Sequence, residues 1–365
     1  MRITKVEVYK VTLRYREVFR IALGASSRTT NLIVKIYTDE GMMGIGESCP
    51  SRRITHDSIE TNLEALELLA PKLIGVDPTR IEYIHKLFRK LYGNPSIKAA
   101  LDMAMHDIIG KAAGLPVYKL LGGFRSEIVT DITIGIKSPK EMAKAAVNLV
   151  EKGFRTLKLK VGVDPDEDVE RIKAVRDSVG GDIAIRIDAN QGWSVREAID
   201  VLNKVYRYDI QLCEQPVKYN DLEGMARVKE RSPIPIMADE SVHDAKDAIK
   251  LVKLNAADVV NIKLMKCGGL HEAIKIASIC ESAGISNMIG CMGESRIAIT
   301  AGVHLAMALE NIIYCDLDSD LLNLDEVVAE GGASIEGDVR RVPDAPGLGI
   351  KGLKEDMLVF IKRWE

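Results

Sequence analysis

Five charged residues recur along the middle of this chain at intervals of 28, 26, 25 and 24 positions: Lys160, Asp188, Glu214, Asp239 and Lys263. Each closes an apolar run, as in Thr156-Leu157-Lys158-Leu159-Lys160. Side chains alternate along a strand, so Lys158 points the same way as Lys160 while Leu157 and Leu159 point the other way. Taken alone, the two ammonium groups read as a solvated strand edge, and a single Asp after a strand reads as a helix cap. The recurrence makes both readings poor. Three carboxylates from adjacent strands repel one another unless a cation sits among them. An all-oxygen set without histidine or thiolate favours Mg²⁺, with Mn²⁺ as the alternative, over zinc.

Such residues need elements that bring them together. Strand runs are expected at Ile132 to Ile136, Thr156 to Val161, Ile183 to Ile187, Ile210 to Cys213, Ile234 to Ala238, Val259 to Ile262, Asn287 to Gly290 and Ile312 to Cys315. Helix starts lie between them. Ser138-Pro139-Lys140-Glu141 and Ser194-Val195-Arg196-Glu197 read as capping boxes, and Asp164-Pro165 opens a helix in the same way. Eight strands separated by helices predict a parallel α/β barrel whose site lies at the C-terminal strand ends. An open doubly wound sheet is the runner-up, but no G-x-G-x-x-G follows a first strand. Residues 1 to about 47 alternate as an antiparallel meander, and Ser58 to Gly114 have helical period, so an α+β unit is expected to precede the barrel. Phe19 to Ser27 reads as a mobile loop. The expected division is 1–125 for the α+β unit, 126–320 for the barrel, and 321–365 packing back on the first unit.

Composition excludes several roles. At 365 residues with a net charge of -3, the chain has no basic field for nucleic acid or an anionic membrane, and no stretch of transmembrane length. Met1 to Val6 reads as a strand and not a signal peptide, so a cytoplasmic address is expected. The six cysteines have no framework spacing and read as core residues.

The motifs Lys158-Leu159-Lys160, Asp188-Ala189-Asn190-Gln191-Gly192-Trp193, Glu214-Gln215-Pro216, Ala238-Asp239-Glu240-Ser241, Asn261-Ile262-Lys263-Leu264-Met265-Lys266 and Gly290-Cys291-Met292-Gly293-Glu294 together resemble the muconate-lactonising subgroup of the enolase superfamily, and within it the dipeptide epimerases. The resemblance spans nearly the whole chain. It implies a modified (β/α)7β barrel under an N-terminal α+β capping domain, and a homo-oligomer is expected. It makes Asp188, Glu214 and Asp239 the Mg²⁺ ligands, Lys160 and Lys263 the acid/base pair, and Lys158 a cation beside the substrate carboxylate. Asp316-Leu317-Asp318 resembles the Asp-x-Asp that holds a dipeptide's α-ammonium group, although Asp318-Ser319-Asp320 also suits a helix start. Thr133, Met292 and Gly293 match pocket positions, whereas Glu294 reads as a helix N-terminal acid.

Physical chemistry agrees with these roles. Removing a proton α to a carboxylate adds charge to a group already anionic, so positive charge must be placed beforehand. A lysine acts as a base only when its pKa is lowered, and neighbouring cations are expected to lower that of Lys160. The second and sixth strands of an eight-stranded barrel face each other, so Lys160 and Lys263 would flank a planar intermediate and invert its carbon. The implied activity is dipeptide epimerisation. The alternatives are N-acylamino acid racemisation, o-succinylbenzoate synthesis, or a non-catalytic barrel that binds a carboxylate. The resemblance also implies that family members acting on Ala-Glu carry an arginine where this chain has Gly24, so an apolar second residue is expected unless Arg20, Arg28, Arg52 or Arg53 reaches the pocket.

Overall fold

Three antiparallel strands open the chain: β1 (Ile3–Ile21), β2 (Gly24–Thr38) and β3 (Met43–Ser48). Alternation gives the sheet two buried faces. Leu32, Val34 and Ile36 pack into the core of the helical layer, while Ile33 between them joins the barrel core. That layer is α1 (Ile59–Leu73), α2 (Ile81–Phe88) and α3 (Pro95–Ala113). Helix α3 lies directly on β3, where a Cβ at Gly46 would come within 1.8 Å of the Ala100 carbonyl oxygen, so only glycine fits there. The computed structural model describes residues 1–365.

A short helix, α4 (Val117–Leu121), and a two-residue strand, β4 (Ile128–Val129), lead into the barrel. Its strands are β5 (Ile132–Ile134), β6 (Thr156–Lys160), β7 (Ala184–Asp188), β8 (Ile210–Glu214), β9 (Ile236–Ala238), β10 (Val259–Lys263), β11 (Ser286–Gly290) and β12 (Ile312–Asp316). They form one parallel sheet in chain order, and the Asp131 N–H donates to the Cys315 carbonyl at 3.1 Å to bring its edges together. Around it run α5 (Pro139–Glu151), α6 (Pro165–Val179), α7 (Val195–Val205), α8 (Leu222–Arg231), α9 (Ala245–Leu254), the single turn α10 (Leu264–Cys267), α11 (Leu270–Ser282) and α12 (Arg296–Ala308). After β12 only the four-residue α13 (Ser319–Leu322) follows. The caps form as their chemistry dictates. The Glu141 carboxylate accepts from the Ser138 N–H at 3.1 Å, that of Glu197 from the Ser194 N–H at 2.8 Å, and Asp164 caps α6.

The remainder closes the molecule. Strands β13 (Val328–Gly331) and β16 (Ile350–Leu353) pair with each other, and β14 (Ser334–Glu336) pairs with β15 (Val339–Arg341), which pairs with β4. The last strand, β17 (Val359–Trp364), returns to β1 with Val6 opposite Trp364. No helix is long and apolar enough to cross a membrane.

One local expectation is corrected. Phe19 to Ser27 is not a loop but the tip of the β1–β2 hairpin, with Phe19 opposite Ser26 and Ile21 opposite Gly24. The hairpin is anchored over the barrel, where the Ile136 N–H donates to the Arg20 carbonyl at 2.8 Å and the Leu324 N–H to that of Arg14 at 2.7 Å. Small residues at its end had suggested mobility; the backbone bonds at either side supply order that local sequence does not display.

Candidate active site

Parallel register sets the deep layer of the site. Lys160 lies opposite Asp188 and Asp188 opposite Glu214, while Lys263 lies opposite Gly290 and Gly290 opposite Asp316. These strand-end residues therefore share one rim, and Lys158 sits one pleat lower beside Thr133. The outward Leu157 and Leu159 are buried in the barrel core. Below the charged layer, Leu212, Met237, Val259 and Met288 form a separate apolar plug.

Charge is matched within the layer. Lys158 Nζ lies 2.6 Å from Glu214 Oε2, 2.7 Å from Asp316 Oδ2 and 3.2 Å from Asp188 Oδ2. Lys160 pairs with Asp188 at 2.6 Å, and Lys263 with Asp239 at 2.8 Å. Asp188, Glu214 and Asp239 are fully buried, so unpaired they would be very costly, and here ammonium groups supply the compensating charge. Burial alone would pull the lysine pKa values down, yet Asp316, Glu214 and Asp188 hold Lys158 well above its ordinary value, and Asp239 raises Lys263. For Lys158 and Lys263 the carboxylates they touch thus outweigh burial. Burial and then the charge of Asp188 push Glu214 up to about 7.

The upper layer opens into a cavity of about 280 Å³ under the hairpin. Lys160 and Lys263 line it from β6 and β10, strands separated by β7, β8 and β9 and so on opposite walls. Asp316 and Asp318 line it as well. Asp318 does precede α13, but its side chain makes no cap. It accepts instead from the Thr133 N–H at 2.7 Å and from Cys291 Sγ at 3.5 Å. Burial and Asp316 raise Asp318 to about 6, whereas Asp316, although burial opposes its charge, is held at about 2 by Lys158 and Lys263. Met292 and Gly293 line the same cavity, and a Cβ on Gly293 would meet the Tyr15 hydroxyl at 2.7 Å. A larger groove of about 1120 Å³ beside α5 shares only Thr133 with the expected site residues.

Two expectations about neighbours change. Glu294 is not an acid of the first turn of α12: it is buried before the Ser295 cap, with burial raising its pKa to about 8. The anionic role at that helix end belongs to Glu47 of β3, which accepts from the Ser295 N–H at 2.9 Å, Ser295 Oγ at 2.7 Å and the Ala298 N–H at 3.1 Å. Nor does Gly24 leave the pocket without a guanidinium. Arg53 reaches that spot from the segment after β3, and a Cβ on Gly24 would lie 2.1 Å from its Nη1.

Other polar groups complete the deep layer. Lys266 pairs with Asp239 Oδ1 at 2.6 Å, and Asn261 Nδ2 donates to Glu214 Oε1 at 2.7 Å. Their signal was in the strand itself: Asn261 is two positions from Lys263 and so shares its face, while the α10 turn folds Lys266 back. Glu240 Oε2 and Asn190 Oδ1 are buried without a hydrogen-bond partner, and Asn190 Nδ2 donates to Glu240 Oε1 at 3.2 Å. Orphaned oxygens next to three buried carboxylates suit a hard divalent cation, so Asp188, Glu214 and Asp239 fit Mg²⁺.

The chain matches two family models: the mandelate racemase / muconate lactonizing enzyme N-terminal domain over residues 3–122, and the enolase C-terminal domain-like family over residues 141–356. It is 46% identical to a hydrophobic dipeptide epimerase from Enterococcus faecalis, over 96% of this chain and 99% of that protein. It is 41% identical to an L-Ala-D/L-Glu epimerase from Clostridium acetobutylicum, over 97% and 99% of the two chains. The crystal structure of the dipeptide epimerase from Enterococcus faecalis V583, complexed with Mg and the dipeptide L-Leu-L-Tyr, superposes with a TM-score of 0.94 at 46% identity, covering 96% of this chain and all of the other.

Proposed function

Because this chain belongs to the mandelate racemase / muconate lactonizing enzyme family of the enolase superfamily, we propose that it is a Mg²⁺-dependent dipeptide epimerase that inverts the α-carbon of the second residue. Its relatives at 46% and 41% identity are named a hydrophobic dipeptide epimerase and an L-Ala-D/L-Glu epimerase, which supports the reaction class. The observation that carries the proposal for this chain is the pairing of two features in one cavity: Lys160 and Lys263 on opposite walls, and the buried carboxylates of Asp316 and Asp318 beside them.

In this reading Asp316 and Asp318 bind the free α-ammonium group of the first residue by charge-assisted hydrogen bonds. Lys158 meets the substrate carboxylate. Asp188, Glu214 and Asp239 would hold Mg²⁺, or Mn²⁺ in its place, which would supply positive charge for the substrate carboxylate. When Lys263 is the base, release from Asp239 removes the charge that raised its pKa, and burial beside Lys158 then favours the neutral amine. Lys160 removes the α-proton from one face and Lys263 returns one to the other; the opposite epimer reverses the roles. The half-buried Phe19, Ile21, Leu23 and Ile54 offer an apolar wall to the second side chain, and Arg53 at the rim donates to a carboxylate when one is present.

The test is turnover of L-Ala-L-Leu and L-Ala-L-Glu in deuterated water, followed by mass shift and by chiral analysis. Wild-type enzyme is expected to exchange and epimerise, to stop in chelator and to recover with Mg²⁺. Lys160→Ala and Lys263→Ala should each abolish epimerisation while one epimer still exchanges its α-hydrogen. Undiminished epimerisation by either variant would remove the two-base mechanism. Equal activity on N-acetylated dipeptides would favour an N-acylamino acid racemase.

A further inference from the structure

We propose that His85, His271 and Glu272 form a second, transition-metal site that ties the capping unit to the barrel. His85 belongs to α2 of the capping unit, and His271 and Glu272 to the first turn of α11 on the barrel. One ligand atom from each of the three residues lies within 4.8 Å of the others. The two imidazoles stack with centroids 4.2 Å apart.

Asp102 of α3 orients the first ligand. Its Oδ1 lies 2.8 Å from His85 Nε2, and its Oδ2 accepts from the Leu270 N–H at 2.6 Å, so it fixes both the imidazole and the start of α11. A carboxylate behind one ring nitrogen is the support that metal-binding histidines use. With its proton on Nε2, His85 presents the Nδ1 lone pair to Glu272 Oε1 at 3.3 Å, an arrangement that needs a cation between them or a second proton on the ring. His271 repeats the pattern. Its Nε2 is buried without a hydrogen-bond partner although Glu82 Oε1 lies 3.2 Å away. Glu82 and Glu272 together match the charge of one divalent ion.

Two imidazoles and a carboxylate select Zn²⁺, Co²⁺ or Ni²⁺ over Mg²⁺, which prefers an all-oxygen octahedron. This chemistry differs from that of the barrel site. The present partners of Glu272 are Lys275 at 3.0 Å and Arg89 at 3.5 Å; both side chains are partly exposed and free to swing aside. A metal held from both sides binds the assembled protein and not the unfolded chain, so it raises stability by mass action.

The experiment uses full-length protein stripped with chelator and then saturated with Mg²⁺ to fill the barrel site. Zn²⁺ should raise Tm by several degrees, and Co²⁺ should bind with one equivalent of visible d–d absorption. His271→Ala and Glu272→Ala replace side chains near the surface and should fold, yet weaken Zn²⁺ by about tenfold or more and lose the Tm rise. The Tm rise should persist in Asp239→Asn, whose barrel site is impaired. A Zn²⁺-induced rise equal in His271→Ala and wild type, a rise that vanishes with Asp239→Asn, or no rise at millimolar Zn²⁺ would each overturn the proposal; in the last case His85 carries a second proton and no metal.

Discussion

The exposed Arg53 side chain has neither a hydrogen bond nor an ion pair, and its guanidinium occupies the space that glycine leaves at position 24. A free guanidinium beside the apolar wall of the cavity would attract an acidic substrate side chain and leave an apolar one unaffected. Arg53→Ala is therefore expected to lower kcat/KM for L-Ala-L-Glu about tenfold, or ~1.4 kcal/mol, with L-Ala-L-Leu unchanged; steady-state kinetics on both dipeptides checks it. An equal loss on both would assign Arg53 to shaping the hairpin. At this scale the sequence was informative about residue types and weak about distant approach. Lys160, Asp188, Glu214, Asp239 and Lys263 were legible because one residue at each strand end repeats with the fold's own period. Arg53 and Glu47 act across segments with no shared periodicity, so only the packed chain reveals where their side chains reach.

Helix α12 begins shortly after Met292 and Gly293 at the pocket edge, and its first turn rests on Glu47 from another sheet. Glu47 also accepts from Asn31 Nδ2 at 2.7 Å, and Asn31 donates to the Gly293 carbonyl at 3.0 Å. Removing the carboxylate leaves buried donors unpaired. Glu47→Ala is expected to cost about 3 kcal/mol, read by urea unfolding, and to raise KM because Gly293 loses its support. A variant that unfolds earlier but keeps its KM would confine Glu47 to stability. The elements themselves were readable where they carry their own signals: the capping boxes at Ser138 and Ser194 begin helices, and the apolar runs before each charged residue form strands. The hairpin tip was not, since its order comes from bonds to Ile136 and Leu324 in other parts of the chain.

Between the two units, buried Asp102 touches His85 and His106, whose Nδ1 lies 3.4 Å from Asp102 Oδ2. Burial opposes charge on all three, yet their mutual attraction wins: Asp102 falls below its ordinary 3.8, and the two histidines rise above 6.5. The histidine contributions are complete below pH 6.5 and fade as pH climbs through the raised values; that of Asp102 is present above pH 3.8 and fades below it. His243, His271 and His304 are shifted down and work in the opposite sense. The comparison that isolates the cluster is Tm in chelator at mildly acidic and mildly alkaline pH, for wild type and His106→Asn. Wild type is expected to gain more from acid than the variant does, and identical gains would remove the cluster from the pH response. Sequence alone pointed to two units through their different rhythms, but the contacts that join them are single side chains without pattern. The pairing of β17 with β1 has a consequence for how the molecule is made. A ribosome delivers β1 before the barrel and its partner β17 after it. Until β17 has emerged, one edge of the first sheet stays unpaired and open to foreign strands. Sealing that edge must wait for the barrel to be made.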